Sequence, residues 1–372
     1  MSDKRRYLGV IEGFYGETWS WQARQEYPGF MSKVGLNAYI YAPKSDSHLR
    51  KQWREPWSEA DLAALQGCAL QFSRQSIEFG IGLSPISLTA EASVSAKDLA
   101  LLDMKIAQID AISTNLLCIL FDDVPSDGSA MAKRQLALCD HIRAKTQAKH
   151  IIVCPSYYST DPILEKLFGA RPTDYWRNLG MGLDSDIDYF WTGEQVCSKA
   201  YSEDNLQFIA EQLRRRPVLW DNYPVNDGAK LSRYLHLKPF TSQRFLSELT
   251  AGHFANPMNQ AYLSQLPLAT LAFQYQQNDP QLNTAITNAD DQLKAVVDLE
   301  WRKFCEQSLG QSLAEDFFND VESFQYQGLD QFSESLKTNL VNKYAQYDSV
   351  YAAEIVNWLE ERYRFDPACL TG

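Results

Sequence analysis

The sequence lacks the features that define several large classes of protein. Its 372 residues contain no apolar run long enough to cross a membrane. The basic N-terminal cluster is not followed by the apolar run of a signal peptide, and no glycine-rich phosphate loop occurs. Basic residues are outnumbered, with 35 Lys and Arg against 47 Asp and Glu, and the net charge is −12. This charge makes a nucleic-acid backbone an unfavourable partner. We therefore expect a globular protein with neither a membrane nor a nucleic-acid partner.

Residues that bind metals or form disulfides are few and scattered. The five histidines are isolated from one another, and neither His-Glu-x-x-His nor Cys-x-x-Cys occurs, so we expect no metal and no cofactor. The seven cysteines are odd in number. Two of them, Cys118 and Cys154, fall within predicted strands, where a thiol acts as a small apolar group. This usage of cysteine predicts a reduced, cytoplasmic protein.

The sequence does contain eight short, largely apolar segments, most of them followed by a helical pattern. Strands are predicted at 7–12, 36–42, 79–83, 116–121, 150–153, 187–191, 217–220 and, more weakly, within 249–255. Helices are predicted to begin after the capping residues Ser58, Ser95 and Ser202. Uninterrupted apolar strands are typical of a parallel sheet that helices cover. Eight such units in about 270 residues predict an α/β fold, a (β/α)8 TIM barrel.

After the predicted barrel, the pattern becomes helical alone. Asn278-Asp279-Pro280 interrupts the chain, and helices are predicted near 293–304, 313–324 and 341–363. We therefore predict a barrel catalytic domain at 1–276 and a C-terminal α-helical domain at 277–372. The helical domain would pack on the barrel or on a partner subunit, and the second arrangement would make a homodimer.

Polar residues follow the predicted strands at the ends that carry catalytic groups in such barrels. They are Gly13, Lys44, Asp122, Asp123, Tyr158, Thr192, Asn222, Asp227 and Asn256. Two adjacent carboxylates at the mouth of an apolar strand repel each other, so a fold places them there readily only when they face an open site. The structural alternative is a helix-capping Asp beside a solvated one.

This set of side chains suits a sugar, because carboxylates and amides pair with hydroxyl groups and aromatic rings pack on sugar faces. Most glycosidases place two carboxyl groups on opposite sides of the scissile bond, which neighbours in sequence cannot easily do. Enzymes that use the 2-acetamido oxygen of their substrate as the nucleophile can hold both carboxylates on one side. The aspartate pair therefore favours a substrate that carries an N-acetyl group.

Six motifs, taken in order, resemble the signature of glycoside hydrolase family 84, the O-GlcNAcase family of β-N-acetylglucosaminidases. They read GVIEGFYG at 9–16, LNAYIYAPK at 36–44, LFDD at 120–123, WTG at 191–193, WDN with ND at 220–227, and NP at 256–257. The resemblance covers residues 7 to about 258. The chain departs from the family at 84–88, which reads SPISL instead of SPGLD, and at Ser45, where an Asp is usual.

The resemblance implies a retaining enzyme that removes terminal β-linked N-acetylglucosamine through an oxazoline intermediate. Asp122 resembles the residue that orients the 2-acetamido group, and Asp123 resembles the general acid that later acts as the base. The positions implied to bind the sugar are Gly13, Lys44, Asn222, Asp227 and Asn256, with Tyr158 and Trp220 lining the N-acetyl group. The substrate would be an N-acetylglucosaminide on a glycoprotein, a glycan or a cell-wall fragment.

Other functions compete with this one. The first is hydrolysis of N-acetylhexosamine polymers, such as hyaluronan, chitin or peptidoglycan fragments. The second is a catalytically silent carbohydrate-binding barrel, against which the presence of both Asp122 and Asp123 argues. The third is an interaction module in which the helical region is the functional part. The sequence leaves the preference between GlcNAc and GalNAc open.

Overall fold

The computed structural model describes residues 6–88, 94–122, 128, 130–275 and 289–363. Eight parallel strands form a closed barrel in sequence order, with the last strand paired to the first. The strands are β1 (Tyr7–Ile11), β2 (Ala38–Tyr41), β3 (Glu78–Leu83), β4 (Leu116–Leu120), β5 (His150–Cys154), β6 (Asp188–Trp191), β7 (Val218–Asp221) and β8 (Gly252–Ala255). The predicted (β/α)8 barrel is therefore confirmed.

Helices surround the barrel and form the C-terminal region. They are α1 (Trp21–Lys33), α2 (Glu59–Arg74), α3 (Ala96–Asp110), α4 (Met131–Lys145), α5 (Pro162–Phe168), α6 (Tyr175–Gly182), α7 (Glu203–Leu213), α8 (Gly228–Leu231), α9 (Leu246–Leu249), α10 (Ala261–Leu268), α11 (Ala289–Leu309), α12 (Gln311–Tyr326), α13 (Glu334–Tyr344) and α14 (Val350–Leu359). The hydroxyls of Ser58, Ser95 and Ser202 accept a backbone N–H in the first turns of α2, α3 and α7, which confirms the predicted caps. In the described part of the chain, no helix combines the length and the apolarity needed to cross a bilayer.

The glycines of β3 are explained by close packing of its neighbours. All five residues of β4 are buried, and the side chains of Leu116 and Leu120 lie against the glycines of β3. A Cβ atom at Gly80 would come within 2.9 Å of Leu116 Cγ, and one at Gly82 within 2.8 Å of Leu120 Cδ1. Glycine in β3 therefore makes room for the large side chains of the strand that leads to the aspartate pair.

One connection of the barrel contains helices of its own, and the helical region differs from the sequence prediction in one detail. The long connection between β5 and β6 contains two helices, α5 and α6. The single helix predicted at 341–363 is wrong, because α13 ends at Tyr344 and α14 begins at Val350. The break turns the chain, and Ile355 and Trp358 of α14 are then buried in the core of the helical region.

The helical region packs against the segments of the barrel that precede and follow β8. An apolar cluster joins Leu237 and Leu263 to Trp301, Phe324 and Trp358 of the tail. A polar contact adds to it, because the buried carboxyl group of Glu354 in α14 accepts the backbone N–H groups of Tyr262 at 3.1 Å and Leu263 at 2.8 Å. The predicted boundary at 276/277 lies outside the described residues, so the division into two domains stays a prediction.

Candidate active site

A pocket opens where the carboxyl ends of the barrel strands meet. It contains about 560 Å³ of empty space, part of which is continuous with the solvent. Eight of the nine predicted site residues line it: Gly13, Lys44, Asp122, Tyr158, Trp220, Asn222, Asp227 and Asn256. The ninth, Asp123, lies outside the described residues. The barrel thus brings together side chains that follow β1, β2, β4, β5, β7 and β8, although their roles stay predictions.

Asp122 is the second residue after β4 and is 9% exposed. Its Oδ2 atom accepts a hydrogen bond from Nζ of Lys44, which follows β2 and whose side chain is 4% exposed. Its Oδ1 atom is buried and has no hydrogen-bond partner among the described residues. One oxygen of the carboxylate is therefore fixed by the protein, and the other has no donor in the described structure.

The charge state of Asp122 is set by opposing effects. Burial raises the pKa of this carboxyl group, whereas the charges of Lys44 and Arg50 and the hydrogen bond from Lys44 lower it. The net result is a pKa below the usual value, so Asp122 is ionised near neutral pH. An ionised carboxylate is an acceptor only, and Oδ1 can take an N–H or O–H from a bound molecule.

Amide side chains connect the ends of β1, β7 and β8. Asn256 Oδ1 accepts the backbone N–H of Gly13 at 3.0 Å, and Asn256 Nδ2 donates to Asn222 Oδ1 at 2.9 Å. The same oxygen accepts the indole N–H of Trp220 at 3.1 Å, while Asn222 Nδ2 donates to the carbonyl of Val196 at 2.7 Å. Each bond fixes the orientation of one amide, so the wall formed by these residues is rigid before a ligand binds.

Trp220 packs directly on Gly13. A Cβ atom at Gly13 would lie 2.3 Å from Cζ2 of the indole ring, so any side chain at this position would displace the tryptophan. Nζ of Lys44 lies 5.5 Å from the centre of the same ring. Glycine after β1 therefore allows an aromatic wall to stand beside the cation of the pocket.

Asp227 and Tyr158 form other parts of the lining. Asp227 Oδ2 accepts the backbone N–H of Tyr15 at 2.7 Å, which ties the segment after β1 to the segment after β7. Tyr158 is 5% exposed, and its carbonyl accepts the backbone N–H of Thr192 at 2.9 Å. Both residues are thus held by contacts between segments that follow different strands.

Several residues of the pocket were not among the predicted ones. Tyr15, Val196 and Cys197 also line it. Arg50, from the segment after β2, donates to the hydroxyl of Tyr15 at 3.2 Å and helps to lower the pKa of Asp122. The one available signal was position, because these residues lie in segments that follow strands. Among the described residues, no group of three or more His, Cys, Asp or Glu side chains is placed to hold a metal ion.

The sequence also matches a known family of proteins. The family model of beta-N-acetylglucosaminidases matches residues 8–306. The Protein O-GlcNAcase of Rattus norvegicus is 26% identical over 305 residues, which cover 78% of this chain and 32% of that protein. The chain therefore spans about a third of the length of this curated relative.

Solved structures with the same fold extend the likeness. A mutant of the O-GlcNAc hydrolase of Thermobaculum terrenum superposes with a TM-score of 0.70 and 31% identity, covering 96% of this chain and 81% of that one. The structure of CpGH84B gives a TM-score of 0.72 at 24% identity, covering 91% of this chain and 57% of that one, and supports the fold alone.

Proposed function

The chain belongs to the β-N-acetylglucosaminidase family, glycoside hydrolase family 84, and from this premise we propose that it hydrolyses terminal β-linked N-acetylglucosamine with retention of configuration. The reaction would need no cofactor, because the substrate supplies the nucleophile. The observation that carries the proposal is the Asp122 carboxylate in the pocket wall, with Oδ2 bonded to Lys44 and Oδ1 without a partner among the described residues.

In the first step, Oδ1 of ionised Asp122 accepts the N–H of the 2-acetamido group. This raises the electron density on the acetamido oxygen and holds it below the anomeric carbon, where it attacks as the glycosidic bond breaks. The leaving oxygen takes a proton from Asp123, the general acid that the family resemblance implies. The N–H proton stays on the nitrogen, so the products of this step are the free aglycone alcohol and a bound oxazoline in its protonated, oxazolinium form.

In the second step, Asp123 is ionised and takes a proton from water, whose oxygen attacks the anomeric carbon and opens the oxazoline ring. Configuration is retained because two inversions occur at this carbon. Lys44 supports both steps, since its charge keeps Asp122 ionised in a buried position.

The other predicted residues would orient the sugar. Asp227 and the amides of Asn222 and Asn256 supply the acceptors and donors that neighbouring hydroxyl groups need. Trp220 offers an apolar ring beside them, and Tyr158 closes the pocket on the side of β5. The assay below compares GlcNAc with GalNAc as the sugar that the pocket accepts.

The test is release of 4-methylumbelliferone from its β-GlcNAc and β-GalNAc derivatives. Wild type should hydrolyse the β-GlcNAc derivative, and a thiazoline mimic of the oxazoline should inhibit it competitively. Asp122→Asn should reduce kcat for every substrate, because attack by the acetamido oxygen accompanies the departure of every leaving group. The matched control is Asp320→Asn, which changes a carboxylate of the tail that binds Lys343 and should keep wild-type turnover.

Two results would contradict the proposal. Turnover without inhibition by the thiazoline would remove the acetamido mechanism. A value of kcat/KM that rises steeply with the number of N-acetylhexosamine units would instead favour a hydrolase of polymers.

The predicted homodimer and cytoplasmic location are separate proposals. Light scattering on the purified chain, with and without residues 289–363, would test whether the helical region pairs two copies. The location would be tested by fractionation of the source cells.

A further inference from the structure

A buried hydrogen-bonded ring lies behind Asp122, outside the pocket. It contains the side chains of Gln135 in α4, Ser156 after β5 and Tyr175 in α6, all at most 1% exposed. None of the three lines the pocket that holds the predicted site residues. The ring meets the backbone at the carbonyl of Phe121, the residue that precedes the aspartate pair.

The ring begins where the pairing of β4 with β5 ends. The N–H of Phe121 donates to the carbonyl of Cys154 at 2.9 Å, as in a regular parallel ladder. The next rung of that ladder would bring the backbone N–H of Ser156 to the carbonyl of Phe121. That N–H instead donates to the hydroxyl of Tyr175 at 3.0 Å, and Ser156 Oγ donates to the carbonyl of Phe121 at 2.8 Å. The serine hydroxyl thus replaces the missing rung.

The remaining bonds close the ring and fix its direction. Gln135 Nε2 donates to Ser156 Oγ at 2.9 Å, so the hydroxyl proton of Ser156 is left to bond Phe121. Tyr175 donates to Gln135 Oε1 at 2.5 Å, and burial raises the pKa of its phenol, which keeps this donor protonated. Every group in the ring has one role, so the ring has a single hydrogen-bonded arrangement.

We infer that Ser156 is a positioning residue for catalysis, with Gln135 and Tyr175 fixing its hydroxyl. The carbonyl of Phe121 belongs to the same peptide plane as the N–H of Asp122. Holding this carbonyl therefore sets where the Asp122 side chain leaves the backbone, and with it the point at which Oδ1 meets the substrate. The inference rests on the proposed function, in which Asp122 orients the acetamido group.

The experiment compares Ser156→Thr with Ser156→Val. The two side chains have nearly the same shape, and only Thr can donate to Phe121, so the extra volume is common to both. Misplacement of a catalytic group by about 1 Å costs up to 10²-fold, so Ser156→Val should have a kcat about 10- to 100-fold below that of Ser156→Thr. KM should change much less than kcat, because the sugar contacts stay intact.

Thr114→Val is the matched control. The hydroxyl of Thr114 donates to the carbonyl of Phe79 at the opposite end of β4, and Thr114 is buried like Ser156. Loss of this hydroxyl in Thr114→Val should lower the Tm, as Ser156→Val does, but should leave kcat unchanged. A purely structural role for Ser156 would make the two Val variants alike in both measurements.

Equal kcat values for Ser156→Thr and Ser156→Val, beside an active wild type, would overturn the inference while leaving the proposed function intact. A wild type that hydrolyses no N-acetylhexosaminide would count against the proposed function itself. Should neither variant of Ser156 fold, Tyr175→Phe decides, since it opens the same ring without added volume. It should lower kcat by about tenfold, and wild-type kcat would overturn the inference.

Discussion

Replacing Lys44 with Met should expose the acid titration of Asp122 in the pH dependence of hydrolysis. In wild type, burial raises the pKa of this carboxyl group and the charges of Lys44 and Arg50 outweigh it. In the variant, Asp122 stays buried but loses the stronger of the two cations that lower its pKa. The pKa of Asp122 should therefore rise above its usual value, and the enzyme should lose activity as the pH falls through that higher pKa.

The size of the shift follows from the contact. Lys44 Nζ and Asp122 Oδ2 form a direct ion pair, and the two side chains are 4% and 9% exposed. An opposite charge in contact with a carboxylate changes its pKa by about 1–3 units. One unit corresponds to about 1.4 kcal/mol, so the variant would destabilise the ionised form by roughly 1–4 kcal/mol. Because both side chains are buried, added salt should change this value little.

The assay measures kcat/KM for 4-methylumbelliferyl β-GlcNAc between pH 4 and pH 8, which reports ionisations of the free enzyme. The acid limb of the variant should lie about 1–3 pH units above that of wild type. Lys105→Met is the control, because Lys105 is also buried, at 2% exposure, and donates to the carbonyl of Glu55 at 2.7 Å outside the pocket. Circular dichroism at each pH would show that both variants stay folded.

A uniform loss of activity at every pH, with the acid limb of Lys44→Met where wild type has it, would refute the reasoning. Lys44 would then contribute to sugar binding alone, and the charge of Asp122 would depend on other groups. A shifted acid limb in Lys105→Met would be as damaging, because the effect would then not be specific to the pocket.

Two further predictions concern Asp123, the proposed general acid, and Glu354 in the helical region. Asp123→Asn should reduce hydrolysis of alkyl glycosides about 10²-fold or more and of activated aryl glycosides far less, because only poor leaving groups need the proton; equal losses would contradict the acid role. Burial raises the pKa of Glu354 to about 8 against the opposing effect of its backbone N–H donors. The folded state then binds a proton that the unfolded state releases near pH 4.3, so the unfolding free energy should fall between about pH 5 and pH 8. Glu354→Gln should remove most of that fall in urea titrations, and an unchanged pH dependence would contradict it.

The barrel and most of the pocket could be predicted because their signals are local. An apolar run such as Leu116 to Phe121 indicates a buried strand by itself, and the polar residue after it falls at the catalytic end of the barrel for purely geometric reasons. Even Gly80 and Gly82, which weaken the pattern of β3, occur where the side chains of β4 need space. The order of the strands then fixes which ends meet.

The parts that escaped prediction depend on contacts between distant segments. The sequence does not show that the charge of Arg50 acts on Asp122, since that depends on how the segment after β2 is placed against Tyr15 and Asp122. Nor does it distinguish Ser156 from any other serine after a strand, because its role arises from Gln135 and Tyr175 on two different helices. The break between α13 and α14 also depends on distant contacts, because the turn allows Trp358 to be buried in the core of the helical region.

The charge balance at Asp122 explains how a chain with a net charge of −12 can bury this carboxylate in ionised form. The charges of Lys44 and Arg50 stabilise the ionised form of Asp122, and both residues belong to the segment that follows β2. The segment after β2 therefore controls the charge of Asp122, while the ring around Ser156 controls its position. These two functions lie on different elements, so a substitution in one should alter the pH profile and a substitution in the other should alter kcat at every pH. Had both rested on one loop, no variant could separate the ionisation of Asp122 from its orientation.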